Sequence, residues 1–268
     1  MCLVLLAWRV HPEYPLVLAA NRDEFHARAA APAAWWDGPA GLLAGRDLGA
    51  GGTWLGVTRA GRFVALTNYR DPGRHEEAAP SRGALVPRAL SRPEPLEATL
   101  AWLAHEAHSY NGFNLLFSDG ERLGVFESVP GAGRELAPGV YGLSNHLLDT
   151  PWPKVTAAKS QLTAALTRLP EEAPLLELLR DGRPAEDADL PRTGLSLEWE
   201  RLLSSAFIHA PGYGTRCSTI VLMDRAGGVR FEEWSWDAAG APRGSVRQAF
   251  SRAAPGPVPS SYGRSPLP

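Results

Sequence analysis

Cys2-Leu3-Val4-Leu5-Leu6-Ala7-Trp8-Arg9-Val10, then His11-Pro12-Glu13-Tyr14-Pro15, then Leu16-Val17-Leu18-Ala19-Ala20-Asn21 follow one another at the start of the chain. Two apolar runs rich in Val and Leu, separated by a proline-punctuated break, read as a β-hairpin. Similar pairs recur further on. Thr53 to Thr58 and Phe63 to Tyr69 flank Ala60-Gly61, Phe113 to Ser118 and Leu123 to Glu127 flank Asp119-Gly120, and Thr215 to Met223 and Val229 to Trp236 flank Arg225-Ala226-Gly227-Gly228. Gly139 to Asn145 reads as one more extended segment. Between the hairpins lie helical patterns: Leu96, Leu100, Leu103 and Ala107 after a Ser91/Glu94 capping box, Val155, Leu162, Leu166 and Leu169, and Leu175 to Leu179. Strands that arrive as hairpins, rather than alternating singly with helices, predict antiparallel sheets. Hairpin groups separated by helical groups predict an α+β fold of two stacked sheets with helices on the outer faces.

The chain has 268 residues, 44% of them hydrophobic and 21% charged, enough to build a sizeable core. Lys and Arg total 27 against 29 Asp and Glu, so no basic footprint points to nucleic acid. Two cysteines exclude a disulfide framework and a four-thiolate metal site. The histidines lack metal-ligand spacing, so no metal is expected. No apolar run approaches the ~18 residues of a transmembrane helix and no basic leader precedes the first strand, so a cytoplasmic protein is expected. Residues 1–250 are expected to form one domain, and 251–268, with Pro255, Pro257, Pro259, Pro266 and Pro268, a disordered tail.

Cys2 is the sharpest chemical feature. Initiator Met is commonly removed ahead of a small residue, which would leave Cys2 with an α-amine beside its thiol. That amine titrates near about 8 and a free thiol near about 8.5, so the amine can take the thiol proton. The alternation Cys2, Val4, Leu6, Trp8 puts the thiol at the open end of a buried strand face; the plain alternative is a small buried hydrophobe. Asn21-Arg22-Asp23-Glu24-Phe25 ends the partner strand, where Asp23 can hold the amine and Arg22 can favour thiolate; a charged strand-end turn explains it as well. Asn145 and Asn68 also end strands, as oxyanion donors or as turn formers. Gly51-Gly52-Thr53-Trp54 lets backbone approach a ligand or enter a strand. Arg216 is a buried anchor or a surface charge, and Cys217, on the opposite face, reads as inert core. Trp35, Trp36 and Trp54 can wall an apolar pocket or fill the core.

Several of these segments together resemble one family. Met1-Cys2, Ala20-Asn21-Arg22-Asp23-Glu24-Phe25, Gly51-Gly52-Thr53-Trp54-Leu55-Gly56, Leu66-Thr67-Asn68-Tyr69, Ser81-Arg82-Gly83, Tyr110-Asn111-Gly112-Phe113-Asn114-Leu115, Tyr141-Gly142-Leu143-Ser144-Asn145, Thr150-Pro151-Trp152-Pro153-Lys154 and Gly212-Tyr213-Gly214-Thr215-Arg216 are similar, in order, to the NRDE family, that of transport and Golgi organisation protein 2. The resemblance implies a four-layer αββα sandwich like that of N-terminal nucleophile hydrolases of the choloylglycine hydrolase and penicillin acylase type. It implies Cys2 as nucleophile, Asp23 orienting the amine, Asn145 as oxyanion donor, and Arg22 and Arg216 as electrostatic supports, with Asn21, Asn68, Thr53, Trp54, Trp35 and Trp36 lining the substrate site. In those hydrolases the Arg precedes the Asp by three residues, whereas Arg22 and Asp23 are adjacent and must point to opposite faces of a strand. The implied activity is hydrolysis or acyl transfer on a small amide or acyl substrate, needing no cofactor. The family's link to haem mobilisation and to lipid or acyl-CoA homeostasis implies the alternative, a carrier of haem or lipid on the same fold without turnover.

Overall fold

The computed structural model describes residues 2–38 and 41–252. In chain order the strands are β1 (Cys2–Trp8), β2 (Leu16–Phe25), β3 (Ala30–Trp35), β4 (Leu42–Asp47), β5 (Leu55–Thr58), β6 (Phe63–Asn68), β7 (Phe113–Ser118), β8 (Leu123–Glu127), β9 (Ala132–Glu135), β10 (Gly139–Leu143), β11 (His209–Ala210), β12 (Tyr213–Met223), β13 (Gly228–Trp236) and β14 (Pro242–Ser251). The helices are α1 (Leu85–Leu90), α2 (Leu96–Glu106), α3 (Pro153–Leu166), α4 (Ala173–Leu179) and α5 (Leu197–Leu202). One sheet runs β10-β1-β2-β12-β13-β14, with β11 beside β12, and the other β3-β4-β5-β6-β7-β8-β9. Every pairing is antiparallel.

The period-2 pattern of β1 explains the layering. Val4, Leu6 and Trp8 join Leu18, Val57, Ala65 and Leu116 in a core between the sheets, while Leu3, Leu5 and Ala7 pack with Val155, Leu162, Leu175 and Leu179 of α3 and α4. On the far side, α1 and α2 cover the second sheet through Leu85, Leu90, Leu103, Phe113 and Phe126. Both faces of each sheet are therefore buried over most of their length, giving the four-layer αββα sandwich. This is the expected α+β architecture.

Some local expectations shift. The second strand continues through Asn21 to Phe25, so the charged segment is strand rather than turn. The capping box is not formed: Pro95 precedes α2, Ser91 instead closes α1, and Glu94 ion-pairs with Arg92. Ser251 pairs with Gly228 at the end of β14, so ordered chain reaches into the segment expected as tail; residues 253–268 lie outside the described residues. Among the described residues no helix is long and apolar enough to cross a membrane.

Candidate active site

The start of β1 and the end of β2 meet in register, Cys2 opposite Arg22 and Leu3 opposite Asn21. Directly opposed residues share a face, so Cys2 and Arg22 point between the sheets while Asn21 and Asp23 point to the helical layer. On the other edge of β2, Thr215 opposes Asp23 and Cys217 opposes Arg22, with Arg216 as the extra residue of a bulge. The bulge keeps Thr215 on the side of Asp23, where its hydroxyl donates to Asp23 Oδ1 at 2.7 Å. Across the sandwich β1 packs on β6, whose last residue is Asn68.

A cleft of about 290 Å³ opens at this end of the sandwich, lined by Cys2, Arg22, Asp23, Thr53, Trp54, Asn68 and Arg82. Arg22 stacks on Trp54, 4.3 Å from the ring centroid, and ion-pairs with Asp47 at 3.8 Å and Glu24 at 3.9 Å. Arg28 closes the same network on Asp47 at 2.7 Å. Gly52 is fixed by contact: a Cβ there would stand 2.4 Å from the Gly83 carbonyl carbon, because Thr53 N–H donates to the Gly83 carbonyl at 3.1 Å. The glycine that could have admitted a ligand instead admits the 81–84 turn, which carries Arg82 into the cleft.

Burial pushes the Cys2 thiol above its ordinary pKa, and the Asp23 charge adds to this; the amino-terminal charge, Arg22 and a backbone hydrogen bond from Asp23 pull it back. Asp23 is itself raised by burial, against the lowering influence of Lys154, the amino-terminal charge and the Thr215 hydroxyl. Asp23 thus feels two positive influences, the amino-terminal charge and the buried Lys154, that hold its pKa down against burial.

That cation was not expected at the site. Lys154 is 5% exposed, and among the described residues its Nζ has no hydrogen-bond partner. It also sits in the first turn of α3, where the helix dipole disfavours a positive charge. Burial lowers its pKa to about 8, Asp23 opposing and Arg70 reinforcing the fall. An ammonium lowered from 10.5 to about 8 destabilises the fold wherever it is protonated, below about 8, and that cost fades as pH rises toward 10.5. At neutral pH the cost is roughly 3 kcal/mol. Lys154→Met keeps the volume and removes the charge, so its thermal midpoint at pH 7 should equal or exceed that of the parent, and the rise in stability between pH 8 and 10.5 should disappear. A midpoint lower by several degrees would mean that the ammonium is a structural tie. The sequence signal was its rarity: one of two lysines among arginines.

The expected residues separate into two groups. Cys2, Asp23, Arg22, Asn68, Thr53 and Trp54 come together at the cleft. Asn145 lies behind it, fully buried, its Nδ2 donating to the Asn68 carbonyl at 2.8 Å. The amide expected as oxyanion donor thus ties the segment after β10 to β6 with one of its two N–H groups and does not line the cleft, and the Asn68 side chain, which no described residue engages, is the amide that lines it. Asn21 is a structural tie: its Nδ2 donates to the Leu179 and Ala206 carbonyls at 2.7 and 2.8 Å, and its Oδ1 accepts from Ser218 at 2.6 Å. Arg216 holds the β2–β3 turn through the Phe25 and Arg28 carbonyls and lines an adjoining recess, not the cleft. Trp35 stacks under Arg59 against Phe250, and Trp36 donates to the Ala44 carbonyl beneath Arg46; neither reaches the cleft. Cys217 is buried beside Glu233, its thiol pushed well up, as expected of an inert residue. Among the described residues no group of three or more His, Cys, Asp or Glu could hold a metal ion.

The family model described as Transport and Golgi organisation 2 matches residues 1–238. The chain is 37% identical over 258 residues to the Transport and Golgi organization protein 2 homolog of Bos taurus, covering 88% of this chain and 93% of that protein. It is 36% identical over 258 residues to the Homo sapiens homolog, with the same 88% and 93% coverage. Against Transport and Golgi organization protein 2 of Drosophila melanogaster it is 29% identical over 260 residues, 87% of this chain and 91% of that one. Among solved structures it is similar to the Caenorhabditis elegans N-acylethanolamine-hydrolyzing acid amidase ortholog, with a TM-score of 0.44 and 11% identity over 82% of this chain and 92% of that chain. Coverage of nearly the whole length, with Cys2, Asp23, Asn68 and Lys154 all inside the matched span, means that the chain belongs to the transport and Golgi organisation 2 family.

Proposed function

We propose that the protein is an N-terminal-cysteine amide hydrolase or acyltransferase acting on a small acyl substrate. The observation that carries this reading is that Cys2, Asp23 and Asn68, whose amide is engaged by no described residue, line one small cleft at the start of β1. Removal of Met1 leaves Cys2 with an α-amine, which Asp23 holds. The amine takes the thiol proton, and sulfur attacks the substrate carbonyl. The Asn68 amide donates to the oxyanion of the tetrahedral intermediate. Collapse expels the leaving group, which takes its proton from the amine, and leaves a thioester on Cys2. Water or an acceptor amine then attacks that thioester and restores the thiol.

This chemistry draws on no metal or cofactor. A volume near the lower end of ligand pockets, which run from ~300 to ~1,000 Å³, and walls made largely of charged and amide groups favour a small polar acyl compound. The carrier reading for haem, lipid or acyl-CoA rests on the family link and on aromatic content; of Trp35, Trp36 and Trp54 it is Trp54 that lines the cleft, and it is already stacked on Arg22.

The test is acylation by p-nitrophenyl acetate, followed as released nitrophenolate. A burst stoichiometric with the chain is expected, followed by slower turnover. Asn68→Ala should slow the burst by about 10²- to 10³-fold with an unchanged thermal midpoint. No burst from a chain that begins at Cys2 would overturn the reading, and an unchanged burst in Asn68→Ala would remove Asn68 from it.

A further inference from the structure

Apart from Glu76 and Glu77 on the exposed rim, the charges around the cleft balance in pairs, with one exception among the described residues. Arg22 and Arg28 share Asp47 and Glu24, and Lys154 faces Asp23. Arg82 has no carboxylate within ion-pairing distance among the described residues. Its guanidinium is half-buried and donates through Nη1 to the Gly112 carbonyl at 3.0 Å. That bond anchors one corner and leaves the Nε–Nη2 edge with no protein acceptor among the described residues. Both the Gly112 tether and the packing of Gly52 on Gly83 hold the turn rigidly against the cleft wall. Burial lowers the Arg82 pKa while the Cys2 and Glu24 charges oppose the fall, which sets this guanidinium within electrostatic reach of the nucleophile. Glu76 and Glu77 also border the cleft, but they stand exposed on the rim, where solvent screens them.

A half-desolvated guanidinium without a counter-charge costs stability, and its free edge is a planar two-donor fork that matches a carboxylate. We infer that Arg82 is a specificity residue that receives a carboxylate of the substrate, so that the acyl compound presented to Cys2 is an anionic one, carrying a carboxylate a short chain away from the scissile carbonyl. This rests on Cys2 being the reactive nucleophile, as proposed above. Arg82 binds and orients the substrate; the bond-making steps stay with Cys2.

Two alkylating reagents that differ in charge test it. The thiolate of Cys2 displaces iodide from either iodoacetate or iodoacetamide, and the ratio of the two rates reads the field and the fork at the cleft. Arg82→Gln should lower the iodoacetate-to-iodoacetamide ratio at Cys2 about tenfold, the iodoacetate rate falling further than the iodoacetamide rate, and Arg82→Lys should keep most of the ratio. In the parent protein, succinate should protect Cys2 from iodoacetamide and succinamide should not, a measurement that needs no variant to fold. An unchanged ratio in Arg82→Gln, or equal protection by succinate and succinamide, would overturn the assignment while leaving Cys2 as nucleophile. A parent protein whose Cys2 resists both reagents would overturn the nucleophile reading and this one with it.

Discussion

Cys2→Ala is expected to abolish the nitrophenolate burst and reduce acyl turnover to the uncatalysed rate, while the protein folds as before. The thiol is the atom that carries the acyl group, and neither the Asn68 amide nor the Arg82 guanidinium can replace it as nucleophile. Cys2 stands at the partly exposed first position of β1, ahead of the buried run Leu3 to Trp8, so shortening it leaves the core between the sheets intact. The stability change should stay within about 1 kcal/mol, as for substitutions outside the core. Cys217→Ala is the matched control: Cys217 is buried beside Glu233 with its thiol held protonated, so its loss should leave the burst unchanged. A burst that survives Cys2→Ala and falls in Cys217→Ala would reverse the two assignments.

The largest expected effect on stability lies one layer behind the nucleophile. Arg70, which follows β6, and Glu200 of α5 are both buried and pair at 2.8 Å. Glu200 also accepts from the Thr193 N–H and hydroxyl at 2.8 and 2.6 Å, and Arg70 lies 4.6 Å from the centroid of Trp152. Arg70 Nε and Nη2 find no partner among the described residues, so the pair depends on the one good contact. Glu200→Gln leaves a buried guanidinium uncompensated and should cost about 3–5 kcal/mol. At roughly 2–4 °C per kcal/mol for a chain of this size, the thermal midpoint should fall by about 10 °C. Joint replacement by Arg70→Met and Glu200→Leu should recover much of that loss, because it removes both desolvated charges. A Glu200→Gln midpoint within about 2 °C of the parent would show that water already reaches the pair.

The parts of this architecture that were legible in the sequence are those where one residue alternation serves one face. The β1–β2 hairpin, which turns at a proline-punctuated loop, and β5–β6, β7–β8 and β12–β13, which turn at Gly, are rich in alternating Val, Leu, Ile or Phe, and these pairs form as hairpins. β3 and β4 did not, because Ala30–Trp35 is mostly alanine with one proline and owes its extended form to pairing with β4. β14 is polar on its exposed positions, pairs with β13 and seats Val246 and Phe250 on the core beside Trp35. The same distinction runs through the site. The opposite facing of Arg22 and Asp23 follows from strand alternation and is found. The choice between Asn68 and Asn145 depends on how far one sheet is offset over the other, which places the Asn145 amide on the Asn68 carbonyl, and no local pattern encodes that offset. Trp35 and Trp36 carried a pocket reading on residue type only, and guanidinium stacking accounts for both. Lys154 and Arg82 lie in quoted motifs, yet what makes them chemically interesting, a buried ammonium with no hydrogen-bond partner and a guanidinium edge with no acceptor among the described residues, exists only once the layers are assembled.

The most direct measurement is the mass of the protein and of its amino-terminal peptide after brief exposure to p-nitrophenyl acetate and acid quench. The account predicts a chain that begins at Cys2 and carries a single acetyl group, held as a thioester on Cys2 and released by hydroxylamine. A chain that retains Met1, or an acetyl group located on Cys217 or Lys154, would contradict it.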